Sequence, residues 1–158
     1  MSNPMKGALR CLPAAVPAAE PIPPATENLS YSMLFPGGAY CAGLARQAVH
    51  GLLSRHGLAE LRETASLAAS ELVAAAYRFT PDREMVLRVR WQYDALRIVV
   101  YDQHPAHRAP EDAERCRDRR SRSMWLLAAA VEERGGDWGL APALTPEGGT
   151  KSWALLHR

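Results

Sequence analysis

The stretch that most constrains the fold runs from Glu60 to Thr80 and reads ELRETASLAASELVAAAYRFT. Leu61, Ala65, Ala68, Leu72, Ala76 and Phe79 recur at helical spacing. That lays one apolar stripe along a helix and demands a core for it to face. Alanine and leucine, both strong helix formers, dominate the stretch. Pro81 ends it by pushing the residue before it out of the helical region. Glu71 lies at the margin of the stripe, with Ala75 one turn later and Arg78 beyond. A carboxylate beside a buried seam is costly unless something pairs with it or uses it. Either Glu71 meets Arg78 at the surface, or it belongs to a site.

A chain of 158 residues fits one domain with a sizeable core. Its net charge of +2 is too small to argue for nucleic acid by itself. Three cysteines, Cys11, Cys41 and Cys116, are widely spaced and form no CxxC, so neither a disulfide framework nor a zinc motif is signalled. No apolar run reaches the length of a membrane helix. The segment from Cys11 to Ala19 is broken by Pro13 and Pro17 and makes a poor signal-peptide core. A soluble, cytoplasmic protein is expected.

Residues 1 to 28 carry six prolines among alanines, which predicts a disordered Pro/Ala-rich arm ahead of one folded domain over 29–158. A short strand is expected from Leu29 to Phe35, ended by Pro36-Gly37-Gly38. Tyr40 to Arg55 reads as a helix with Leu44, Ala48 and Leu52 inward and Ala45, Val49 and Leu53 beside them, closed by His56-Gly57. Glu84 to Trp91 alternates strictly, with Met85, Leu87, Val89 and Trp91 on one face. A turn over 92–95 returns the chain into Leu96–Asp102, whose core face is Leu96, Ile98 and Val100. Asp102 shares their parity and should point inward. A loop is expected over 103–118 and a helix from Ser121 to Glu133 with Trp125 in the core. Two strands follow, Asp137–Ala143 and Thr150–Leu156. This order predicts a two-layer α/β sandwich, a mixed and mostly antiparallel sheet with helices on one face.

Two acids therefore lean toward the helix–sheet seam. Glu71 could act as a general base, and Asp102 could accept a hydrogen bond from a ligand amine or cap its own turn. Around them the runs ELVAAAYRFTP, LRVRWQYDALRIVVYDQHP, RSMWLLAAAVEERGGDWG and GGTKSWALL resemble the histidine-kinase-like ATPase superfamily. Within it, they are similar to anti-sigma-factor serine/threonine kinases and small ATP-binding regulators of actinobacteria. The resemblance covers roughly residues 29 to 157. It implies ATP as ligand, with Glu71 as general base and Asp102 at the adenine amine. Thr150, after Gly149, would stand beside the adenine, and Ser121, Ser123, Met124 and Arg78 toward the phosphates.

The chain departs from the family pattern at the phosphate end. Ala75 stands where the family has a magnesium-binding Asn, and a methyl group offers no oxygen to Mg2+. His104 stands where a glycine is expected, and Ser121-Arg122-Ser123-Met124 replaces a Gly-x-Gly-Leu segment. Serines there would cap a helix and offer hydroxyls to an anion. The resemblance thus implies a regulator with vestigial ATP binding and impaired kinase activity. It would act on a protein partner such as a sigma factor or an anti-anti-sigma factor, with a homodimer as a further expectation. One alternative is an active kinase in which arginines compensate for Ala75. Another is a nucleic-acid-binding regulator using the arginine-rich Arg115–Arg122 loop. The same arginines could instead clamp an anion, and the reading preferred for them is a solvated loop offset by Glu111, Asp112, Glu114 and Asp118. His104 and His107, split by Pro105 and without a third ligand in view, do not signal a metal site.

Overall fold

A computed structural model describes residues 19–146 and 148–158; residues 1–18 of the expected arm lie outside it. The elements are β1 (Ser30–Phe35), α1 (Cys41–Arg55), α2 (Arg62–Phe79), β2 (Met85–Gln92), β3 (Ala95–Asp102), α3 (Pro110–Ser123), α4 (Trp125–Glu132), β4 (Asp137–Pro142) and β5 (Thr150–His157). The strands form a five-stranded sheet in the order β1-β2-β3-β5-β4. Every neighbouring pair is antiparallel, so the parallel pairing that a mixed sheet would include is not used. The molecule is a two-layer α/β sandwich.

Alternation sets the two faces of the sheet. Leu87, Val89, Leu96, Ile98, Val100, Ala154 and Leu156 are buried, while Arg88, Arg90 and Arg97 between them are exposed. The helices cover the first face, and α2 touches α1, α4 and β3. The predicted stripe of α2 is buried from Leu61 to Ala76; Ser66, Ala69, Val73 and Ala75 are buried as well, because neighbours enclose the helix on more than one side. Phe79 is only half-buried and lies under the Arg120 guanidinium, 5.6 Å from the ring centroid. In α1 the core line is Cys41, Ala45, Val49 and Leu53, one position on from the line expected, and Leu44 is left 46% exposed. These residues are four apart and mostly small, which lets α1 lie close against α2. Gly57, at φ +76, closes α1 with the Leu58 N–H donating to the Leu53 carbonyl at 3.0 Å, a Schellman pattern.

Three further expectations are corrected. The end of the proline-rich segment is anchored to the domain. Thr26–Asn28 form a 3₁₀ turn, and the buried His56 ring donates from Nδ1 to the Ala25 carbonyl and accepts from Tyr31 Oη at Nε2. The expected loop over 103–118 is helical from Pro110 onward. Pro110 occupies the first turn, Glu111 and Asp112 follow it, and Arg120 and Arg122 fill the last turn, an arrangement that suits the helix dipole. The expected helix from Ser121 is broken at Met124, which has non-helical dihedrals of φ −102 and ψ 26. That break resets the phase, so Met124, Leu127 and Val131 face the core and Trp125 is 69% exposed. No helix among the described residues is long and apolar enough to cross a membrane.

Candidate functional site

Asp102 ends β3 on the inward face, as its parity predicted, and is buried. Thr150 is its direct partner across the β3–β5 ladder. Gly149 precedes it at φ +108, and a Cβ there would lie 2.1 Å from the Asp102 carbonyl oxygen, so only glycine admits this approach. Asp102 and Thr150, which the resemblance assigns to the adenine, are therefore brought together.

The Asp102 carboxylate is fully engaged from within the chain. Arg120 of α3 donates from Nη2 to Oδ2, and both side chains are buried. Oδ1 accepts the His104 backbone N–H at 3.0 Å. A buried carboxylate with a bidentate-capable guanidinium at one oxygen and an amide at the other has its charge and geometry satisfied. Arg120 was among the arginines expected in a solvated loop. Its inward turn is the feature that sequence reasoning missed, and nothing in a run of five arginines singles it out.

Beside this pair lies a cavity of about 330 Å³, lined on one side by His104, His107, Cys116 and Arg120 and on the other by β4, Gly149 and Thr150. Arg120 Nε and Nη1 are buried and have no hydrogen-bond partner among the described residues, so this guanidinium keeps donors that call for an acceptor. Asp102 also lines a second hollow, of about 380 Å³, with Leu34, Glu84 and Tyr101.

The other candidates fall elsewhere. Glu71 is half-buried on α2 and lines neither hollow. It makes no hydrogen bond or ion pair among the described residues. Arg78 does not reach it; its Nη1 makes a long 3.5 Å contact with the Ser123 carbonyl. Ala75 is wholly buried among apolar side chains. Ser121 and Ser123 end a helix rather than start one. Ser123 Oγ donates to the Arg120 carbonyl at 2.7 Å, Ser121 accepts the Met124 N–H, and Met124 is a core residue. The helix-capping role expected of these serines is therefore not realised. The residues present do not fit a Mg2+–triphosphate: the position that the resemblance gives to the metal ligand is a buried methyl group, and the acid that it gives to the purine is already paired with Arg120. No protein-family model and no curated protein matches the chain.

Proposed function

We propose that the protein is a regulatory binding module that acts by holding a protein partner, in the manner of a transcription regulator, and not by transferring phosphate. One observation carries this reading: the carboxylate at the purine position is committed to the buried Arg120. With Ala75 enclosed in the core, phosphoryl transfer lacks the charge neutralisation and positioning on which it depends.

The uncovered face of the sheet supports a partner with an acidic surface. Arg88, Arg90 and Arg97 project from it, with Lys151 beside Tyr101 on the next strand pair. Arg90 and Arg97 stand directly opposite each other, a like-charge pair that costs stability in the free chain and is relieved by an anionic group placed over it. The same cations oppose the packing of two copies through this face.

The test is titration calorimetry of ATP and ADP, with and without Mg2+, on wild type and on Ala75→Asn, together with a phosphotransfer assay on candidate protein partners. The expected result is no magnesium-dependent binding at millimolar nucleotide in either protein and no phosphoprotein. Magnesium-dependent binding by wild type, or phosphate on a partner serine, overturns the proposal.

A further inference from the structure

We infer that His104, His107 and Cys116 bind a divalent transition metal of the Zn2+ type, leaving its fourth place open to the cavity. This stands apart from the function proposed above, since it needs neither nucleotide nor partner. One donor atom from each residue lies within 4.8 Å of the other two. Cys116 Sγ already stands 3.5 Å from His104 Nε2. Two donors bound to one tetrahedral Zn2+ at about 2.3 Å for sulfur and 2.0 Å for nitrogen sit at about that separation. The two imidazole rings are 5.2 Å apart, and the exposed His107 side chain is free to turn the remaining distance. A thiolate with two imidazoles selects Zn2+, Co2+ or Ni2+ and rejects Mg2+ and Ca2+, which take oxygen.

The surroundings prepare these donors. His104 Nδ1 lies 2.9 Å from the Pro105 carbonyl, which can only accept, so Nδ1 carries the proton and Nε2 keeps the lone pair turned toward Cys116. This is the outer hydrogen bond that commonly fixes a metal-binding histidine. The buried ion pair sets the rest. Cys116 and Arg120 are four residues apart on α3 and share a face of that helix. The contact that ties Arg120 to Asp102 therefore also presents Cys116 to His104, whose own backbone N–H is held by Asp102. A dication, the Cys116 thiolate, Arg120 and Asp102 together leave one net positive charge. Arg120 itself lines the same cavity. The fourth place is thus suited to hydroxide or a small carboxylate. On binding, Cys116 loses its thiol proton to solvent and the sulfur lone pair passes to the metal.

The experiment is titration of the full chain, reduced and freed of metal with a chelator, with Co2+ and then Zn2+. A thiolate-to-cobalt charge-transfer band should grow to saturation at one equivalent and vanish as Zn2+ displaces the cobalt, while Mg2+ has no effect. Cys116→Ser should abolish the band and weaken Zn2+ at least about a hundredfold; His104→Ala and His107→Ala should each weaken it at least about tenfold. His107 is exposed, so its variant keeps the test decisive should another fail to fold. Absence of the band at one equivalent overturns the site. So does a band kept by Cys116→Ser, or a foldable histidine variant that binds as wild type does.

Discussion

The α1–α2 seam and the end of β3 are both buried, yet they are held by opposite means. Along the seam, where α1 and α2 pack together, the buried residues of the two helices are mostly small and apolar, among them Ala45, Val49, Ala65, Ala68, Leu72 and Ala76. Each contact of such surfaces is weak and many add up. At the end of β3 a few polar groups do the work: Asp102, Arg120 and the His104 amide. The seam tolerates a changed residue in proportion to its volume. The strand end does not, because a charge left alone in a dry place costs more than the contact it lost. The first region builds the sandwich, and the second decides what can enter it.

The sharpest way to break this contrast is Arg120→Met, which leaves the Asp102 carboxylate buried and unpaired. Stability in a neutral-pH denaturant melt should fall by about 3–5 kcal/mol. Adding Asp102→Leu should restore most of the loss, since a buried pair replaced by apolar residues is close to neutral. If Arg120→Met alone costs little, α3 is held by other contacts and the strand end is not a polar latch. On the seam side, Ala75→Asn places a larger side chain and an unsatisfied amide into a filled core and should cost about 2–3 kcal/mol. A stable Asn variant would mean that this stretch of α2 has room for a ligand.

The same contrast governs what could be read from the chain. The seam, the β2–β3 alternation and the inward aim of Asp102 were legible because burial on one side imposes a period on the residues. The α3 helix carries no such period: PEDAERCRDRRSRS is polar nearly all round and buries one residue, Arg120. Its only marks were the proline and acids at the start and the bases at the end. Cys116 stands twelve positions from His104, and only the path of α3 brings them together. Trp125 was misread because one non-helical residue, Met124, shifts the phase of all that follows. A site assembled by a polar helix leaves types of residue in the sequence, but not their partners.

A smaller effect is expected at the other end of β3. Tyr93 and Asp94 turn the hairpin with φ of 53 and 54, the left-handed conformation that a two-residue turn demands and that glycine adopts freely. Tyr93 also lies under the Arg97 guanidinium, so Asp94 is the position to change. Asp94→Gly should raise stability by about 0.5–1 kcal/mol and leave the Asp102 end untouched. A loss would mean that the aspartate makes contacts worth more than the backbone strain.

The smallest effect should come from the exposed counterpart of the buried pair. Glu60, just ahead of α2, meets Arg158 in a half-exposed ion pair. A hydrogen bond from the backbone at Glu60 holds its carboxyl below the ordinary glutamate range; desolvation opposes it, and the Arg158 guanidinium, with Arg134 farther off, adds to the lowering. A carboxyl with a depressed folded-state pKa adds stability above its unfolded value and loses it as pH falls through the folded one. Glu60→Gln should therefore lower the melting temperature slightly at neutral pH, with the difference from wild type closing in acid. Because water and salt reach this pair, the difference should also shrink at high ionic strength. The Arg120→Met loss, sheltered from solvent, should keep most of its size under the same salt. Equal salt sensitivity in the two variants would mean that the strand end is wet, and the distinction between a screened surface pair and a buried latch would go with it.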